Sequence, residues 1–286
     1  MAEFFHVDGE VVPAAEATVS VRDRGFMYGD AGFETLRVYG GEPFEWDAHA
    51  ARLQNTCEKL GFAHALPPAD DLRERVVETV AANGFEDAYA KLSVSRGVQP
   101  GKLTPRDEVN PTVVVIVSEL PRGGVDGERV WDGPATVQTA ETRRIPDEAL
   151  PANLKTHNYL NGILGRLELD DADEALFLSV DDFVTEGSVS NVFFVRDGTL
   201  CTPTTDLPLL PGITRAVVLE LAAEAEIPLE TGRYEPSAFE AADEVFLTNS
   251  TWEIRPVGSV DELSFGVGPI TRRLQRLFDE RVEGLY

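Results

Sequence analysis

The chain has 286 residues, enough for two compact domains. Its 50 acidic residues against 25 basic ones leave a formal charge of -25, a field that repels nucleic acid and anionic membranes. Cys57 and Cys201 are the only cysteines, which excludes a disulfide framework and a paired-cysteine metal spacing. No apolar run is long enough to span a bilayer and no signal-peptide pattern opens the chain, so a cytoplasmic protein is expected. The acids are dispersed, as at Asp70-Asp71, Glu141, Asp170-Asp171, Asp181-Asp182 and Glu224. That pattern suits a solvated surface adapted to high salt, where self-repulsion is screened; a surface for a basic partner is the alternative. Lysine is scarce: Lys59, Lys91, Lys102 and Lys155 are the only ones, and every other basic residue is arginine. Each remaining lysine therefore calls for its own reason.

Phe4 to Val12 has the pattern of a hairpin around Asp8-Gly9. Phe33 to Val38 and Glu42 to Trp46 are predicted strands joined at Gly40-Gly41. Asp47 is placed to cap a helix that runs to Leu60 and ends at Gly61. A second helix is predicted over Ala69 to Ala82, and strands over Ala88 to Arg96 and Thr112 to Val117. The run Val113-Val-Val-Ile-Val117 suggests a strand buried on both faces. Pro121 to Gly133 lacks an apolar period and is assigned as the connection between domains covering 1–120 and 134–286. Asn153 to Leu169 is assigned as a helix with its approach, with Leu160, Ile163, Leu164 and Leu167 on one face. Short strands follow at Ala175 to Val180, Phe183 to Thr185, Val192 to Val195 and Thr199 to Cys201, then a helix over Ile213 to Ala225. A strand over Glu244 to Thr248 and a helix from Pro269 to Val282 complete the chain. Strands and helices mix without strict alternation, which indicates an α+β or mixed α/β fold.

Five segments can carry chemistry. Lys155, in Asn153-Leu-Lys-Thr-His-Asn-Tyr159, suits an amine nucleophile near walls that limit water, and equally a loop lysine. Glu186, in Val184-Thr-Glu-Gly187, lies where a strand gives way to a Glu-Gly turn; it suits a carboxylate facing a site or an ordinary turn residue. Leu210-Pro-Gly-Ile-Thr-Arg215 opens a helix whose free N–H groups, with Thr214, suit a phosphate; a plain Pro-Gly turn gives the same pattern. Arg52 can clamp a phosphate or lie on the surface, and Asn249-Ser-Thr251 can offer hydroxyls or simply close a strand. His49 and His157 do not form a metal-ligand spacing, and no metal is assigned.

Together, and in order across the chain, these segments resemble the fold-type IV enzymes that use pyridoxal 5'-phosphate (PLP), the class IV aminotransferases. The matching pieces are Arg24-Gly-Phe-Met-Tyr-Gly-Asp-Ala-Gly-Phe-Glu-Thr-Leu-Arg37, His49-x-x-Arg52-Leu53, Ser95-Arg-Gly97, Lys155-x-x-Asn158-Tyr159, Thr185-Glu-Gly187 with Asn191, Leu210 to Arg215, and Asn249-Ser-Thr251 with Glu253 and Pro256. The resemblance implies a smaller N-terminal α/β domain, a larger C-terminal PLP-binding domain and a homodimer. It implies that Lys155 is the Schiff-base lysine and proton carrier, and that Glu186 is the partner of the pyridine nitrogen. Arg52, Ile213, Thr214 and Ser250 resemble the phosphate cup, and Leu210 the leucine packed on the ring. Tyr159 resembles the tyrosine that, in the branched-chain branch, bonds the phenolic oxygen, one residue closer to the lysine here. Tyr28, Phe33, Thr35, Arg96, Lys102 and Thr251 are the implied substrate contacts.

The branches of the family pull apart. Branched-chain enzymes carry Phe-Glu-Gly where this chain has Phe33-Glu34-Thr35, and Ile-Arg-Pro within the stretch that reads Lys91-Leu-Ser-Val-Ser-Arg-Gly97. Thr35 and Ser95-Arg96-Gly97 resemble the aminodeoxychorismate lyases. Ser250-Thr-Trp-Glu-Ile-Arg-Pro256 is similar to the corresponding ending of transaminases. The D-amino acid branch carries an Arg-x-His where this chain has Pro100-Gly-Lys102, with Lys102 a candidate substitute. The expected activity is transfer of an amino group between an amino acid and a 2-keto acid. A lyase that releases pyruvate from aminodeoxychorismate is the alternative, and a non-catalytic PLP-binding protein a third.

Overall fold

A computed structural model describes residues 3–122 and 130–286. The chain divides into two compact units: 1–121 with 154–158 and 285–286, and 122–153 with 159–284. Both strands and helices occur in each, as the mixed α/β expectation required. Of the connection assigned to 121–133, residues 123–129 lie outside the described residues.

The first unit contains β1 (Phe4–Val7), β2 (Glu10–Pro13), α1 (Arg24–Tyr28), β3 (Ala31–Tyr39), β4 (Glu42–Pro43), α2 (Trp46–Leu60), α3 (Ala69–Ala82), β5 (Ala88–Ser95) and β6 (Thr112–Glu119). The strands form one antiparallel sheet in the order β2-β1-β6-β5-β3-β4. Helices α2 and α3 supply Leu53, Cys57, Leu72, Val76 and Val80 to a core that takes Leu36, Val38, Leu92 and Val115 from the strands. Glycines at positive φ make the turn at Gly40-Gly41, where a β-carbon would be strained.

Two local expectations fail here for physical reasons. The strand expected to reach Trp46 ends at Pro43, because Glu45 at φ 51° turns the chain and Trp46 already begins α2. Asp47 is therefore inside the first helical turn, where its charge favours the helix dipole, and makes no side-chain cap. Strand β6 is not buried on both faces: Val113, Val115 and Val117 are buried, while Ile116 is 39% exposed. Helices α2 and α3 pack on the side that carries Val113, Val115 and Val117, so period-two alternation returns despite an apolar sequence.

The second unit contains β7 (Ala135–Thr139), α4 (Leu160–Leu167), β8 (Glu174–Leu178), β9 (Val184–Gly187), β10 (Asn191–Arg196) and β11 (Thr199–Pro203). Then come α5 (Ile213–Glu224), β12 (Leu229–Gly232), β13 (Glu244–Asn249), β14 (Glu253–Val260), β15 (Leu263–Ser264) and α6 (Pro269–Glu283). Its mixed sheet runs β12-β11-β10-β13-β14-β7-β8-β9, with β15 beside β14. Parallel pairs occur at β11-β12, β14-β7 and β7-β8.

Helix α4 departs from its apolar period. Leu160, Ile163, Leu164 and Leu167 are 65, 53, 46 and 76% exposed, and Asn161 and Gly165 form the buried side. Phe177 explains the choice: a β-carbon at position 165 would lie 2.4 Å from its ring, so the helix docks by its glycine. Within the Asn153 to Leu169 stretch the helix itself occupies Leu160–Leu167, and the approach at 154–158 belongs with the first unit instead of the expected 134–286 segment.

Candidate active site

In the first unit, the stretch around Lys155 is extended and runs beside the start of β3. The Phe33 amide donates to the Lys155 carbonyl (2.9 Å), the His157 amide donates to the Ala31 carbonyl (3.0 Å), and Gly32 and Thr156 form an antiparallel bridge. The Lys155 amide donates to Thr56 Oγ1 at 3.3 Å. The backbone of Lys155 is thus fixed on both sides. Its Nζ lies 4.4 Å from the centroid of the Phe33 ring. Lys91 Nζ lies 4.7 Å from the same ring. The register explains the pair: Phe33 faces Ser93 and Thr35 faces Lys91 across β3 and β5, so these side chains share one face of the sheet. The His157 ring meets Phe33 edge-on at 5.5 Å, and its Nε2 is 3.2 Å from Ser93 Oγ. Burial, reinforced by the Lys155 charge, lowers the pKa of Lys91. Burial and then the Lys91 charge lower that of His157.

Glu34 faces the other way, toward α2. Its Oε1 accepts from Arg52 Nε (2.9 Å) and its Oε2 from Arg52 Nη2 (2.6 Å), while His49 Nδ1 is 2.7 Å from Oε2. Burial works against ionisation of Glu34, but the Arg52 charge and the hydrogen bonds from Arg52 and His49 prevail and hold its pKa at about 2. Burial lowers the pKa of His49 even against the pull of Glu34, which leaves a neutral ring whose Nδ1–H donates to the carboxylate. Arg52, expected at a phosphate, thus has one edge of its guanidinium committed to Glu34.

The substrate contacts expected in this unit are placed unevenly. Arg96 is buried; its Nε and Nη2 bind Asp30 at 2.7 and 3.2 Å, and Nη2 also donates to the Leu60 carbonyl. Arg24 shares Asp30 (2.7 Å) and donates to the carbonyls of Lys102 and Leu103, which ties down the loop on which the Lys102 side chain is exposed. Burial opposes ionisation of Asp30, yet hydrogen bonds from both arginines keep its pKa below the usual value. Tyr28 lies under Arg24, with 5.0 Å from guanidinium to ring centroid. Thr35 is half-buried on the Phe33 face.

In the second unit, Glu186 lies within β9, buried, rather than at a turn; the turn follows at Ser188 and Val189. Its Oε1 accepts from Arg144 Nε (2.8 Å) and its Oε2 from the Leu210 amide (2.9 Å). Arg144 is oriented in turn by Asn161 Oδ1 at 3.0 Å from Nη1. Leu210 is half-buried, and its carbonyl accepts from Asn191 Nδ2 at 2.9 Å. A β-carbon at Gly212 would fall 2.1 Å from Asn191 Oδ1, so glycine is required where the chain turns into α5. Gly212 is the N-cap and no side chain caps the helix, so the first-turn N–H groups of Ile213 and Thr214 point out of the helix start beside the buried Thr214 side chain. Ser250 and Thr251 occupy the turn between β13 and β14, where Asn249 Oδ1 accepts from the Thr251 amide and hydroxyl, each at 3.0 Å. Tyr159 precedes α4 and its carbonyl accepts from Ile163 at 3.0 Å.

Each unit by itself carries groups that fit PLP: the first an amine on an aromatic face, the second a buried carboxylate held in place and an uncapped twelve-residue helix start carrying a hydroxyl. The sequence did not reveal Glu34 and His49 as the partners of Arg52, or Arg144 as the partner of Glu186. The Arg52–Glu34 and Arg144–Glu186 pairings span 18 and 42 positions and leave no local pattern. Lysine scarcity was a usable pointer to Lys91.

The class described as amino-transferase class IV matches residues 31–260. A putative branched-chain-amino-acid aminotransferase of Methanocaldococcus jannaschii is 35% identical over 96% of this chain and 95% of its own length. The aminodeoxychorismate lyase of Bacillus subtilis is 31% identical over 98% of the chain and 95% of that protein. A branched-chain-amino-acid aminotransferase-like protein 2 of Arabidopsis thaliana is 34% identical over 97% of the chain, but the chain spans only 50% of its length. Among solved structures, the branched-chain aminotransferase of Thermoproteus uzoniensis with norvaline superposes with a TM-score of 0.91 at 29% identity, covering 100% of this chain and 96% of that one. A second branched-chain amino acid aminotransferase, solved with pyridoxamine 5'-phosphate, gives 0.89 at 30% identity, covering 100 and 96%. The chain belongs to the class IV aminotransferase family and is a PLP-dependent enzyme of the transaminase class.

Proposed function

We propose that the enzyme moves an amino group between an amino acid and a 2-keto acid, with Lys155 as the group that holds the cofactor and carries the proton. When bound, PLP supplies the electron sink that makes the substrate Cα–H acidic. The observation that carries this reading is the fixed extended backbone of Lys155, which sets its amine on the Phe33 ring. A positioned amine moves a proton without searching for it. Glu186 is the partner of the pyridine nitrogen, kept in place by Arg144 and the Leu210 amide. The Ile213 and Thr214 amides, the Thr214 hydroxyl, Arg52 and Ser250 hold the phosphate, and Leu210 packs on the ring. Tyr159 serves the phenolic oxygen, and Tyr28, Phe33, Thr35, Arg96, Lys102 and Thr251 border the substrate.

Borohydride reduction of the PLP-loaded enzyme followed by peptide mapping tests the lysine: label at Lys155 is expected, and its absence there overturns the assignment. A donor panel of L-branched-chain amino acids, D-alanine and aminodeoxychorismate tests the reaction. Donor-driven conversion of bound PLP to its aminated form is expected. Pyruvate release from aminodeoxychorismate without that conversion establishes the lyase instead, a reading favoured by Thr35 on the Phe33 face. The exposed apolar stripe of α4 supports a homodimer, and the formal charge of -25 supports a working environment of high salt. Two buried free cysteines are consistent with a reducing cytoplasm.

A further inference from the structure

Glu34 is a carboxylate with only 1% exposure, standing between Phe33 and Thr35 on β3 but facing the opposite side. His49 and Arg52 are three residues apart on α2, so both reach it from one helical face. Their contacts are not redundant. Arg52 meets both oxygens through Nε and Nη2, a two-point contact that fixes the plane and the roll of the guanidinium. His49 meets Oε2 at 2.7 Å and stops the carboxylate from rotating away. With two nitrogens of the planar fork bound to one carboxylate, the orientation of the whole guanidinium is set. The amide of the neighbouring Phe33 holds the Lys155 carbonyl, so Arg52 and Lys155 are referred to the same three residues of β3.

We propose that Glu34, braced by His49, is a positioning residue that aims Arg52 at the phosphate of PLP. This rests on the assignment of Arg52 to the phosphate. A guanidinium left to its rotamers would lose entropy each time it met the phosphate; one held by Glu34 is already in place.

The test compares equilibrium binding of PLP and of pyridoxal, which lacks the phosphate, followed by the absorbance of the bound aldehyde. Wild type, Arg52→Ala, Glu34→Gln, Glu34→Asp and the Arg52→Ala/Glu34→Gln double variant are titrated. Arg52→Ala is expected to weaken PLP by about 10- to 100-fold and leave pyridoxal within about twofold. Glu34→Gln is expected to weaken PLP by about 10-fold, again sparing pyridoxal, and the double variant to bind no more weakly than Arg52→Ala alone. Glu34→Asp keeps the charge but breaks the two-point register, and should fall with Glu34→Gln; it also serves if the glutamine variant does not fold. Unchanged or tighter PLP binding in both Glu34 variants, or equal loss of PLP and pyridoxal, overturns the proposal while leaving Arg52 at the phosphate. An unchanged PLP-to-pyridoxal ratio in Arg52→Ala removes Arg52 from the phosphate, and the role of Glu34 with it.

Discussion

Each unit buries a glutamate against an arginine, and the two pairs are built differently. Glu34 gives both oxygens to Arg52 and one to His49, on the side of β3 that packs on α2; the side chains are 1 and 10% exposed. Glu186 gives one oxygen to Arg144 and the other to a backbone amide, and its pair is more open, at 8 and 22%. The first carboxylate is saturated by side chains that hold it in place. The second is positioned by a strand, an arginine edge and the chain that leads into α5. A buried charge closed on side chains stabilises and orients them, whereas one shared between a side chain and a backbone amide ties a strand to the segment that leads into a helix.

The most severe challenge to that contrast starts at Lys155. Lys155→Ala should lower turnover by about 1000-fold or more while circular dichroism stays that of the wild type. Glu186→Gln should lower turnover by about 100-fold with little change in thermal stability; a large loss of stability with retained turnover would make it the structural member of the pair. Glu34→Gln should show the reverse balance once PLP is saturating, losing about 3 kcal/mol in denaturant unfolding because the largely buried Arg52 is left without its counter-charge.

Acid titration bears on the same point. Glu34 is held at about 2 in the folded chain against an ordinary 4.5, so its contribution to stability is complete above 4.5 and lost as pH falls through about 2. The acid limb of the unfolding profile should therefore flatten in Glu34→Gln. The smallest effect is expected outside both pairs. Leu164→Glu, on the exposed stripe of α4, should leave the unfolding free energy of the subunit within about 0.5 kcal/mol of wild type and, if the proposed homodimer forms through this stripe, shift sedimentation toward monomer.

The legible part of the molecule was whatever short-range pattern decides. The helices over Ala69–Ala82 and Ile213–Glu224 and the hairpin at Asp8-Gly9 came within a residue or two of their observed bounds, because period and turn chemistry act over a few positions. The strand expected through Trp46 failed because Glu45 adopts a positive φ that its side chain does not announce. Glu186 looked like a turn residue because Gly187 follows it; the glycine is there since a β-carbon would fall 2.3 Å from Ser190 Oγ, within a strand.

Residue type and order alone determined the set of motifs, and through them the family and the cofactor. Those properties survive without knowledge of neighbours. The tertiary structure decided which face of each element is used. It turned the leucines of α4 outward because Phe177 fits only against Gly165, and it returned β6 to alternation because α2 and α3 pack on the side that carries Val113, Val115 and Val117. It also supplied the partners: Glu34 and His49 for Arg52, Arg144 for Glu186, Lys91 beside Lys155 on Phe33. Hydrogen bonds and ion pairs act over a few ångströms in space, and only the folded chain brings residues so far apart in sequence within that reach.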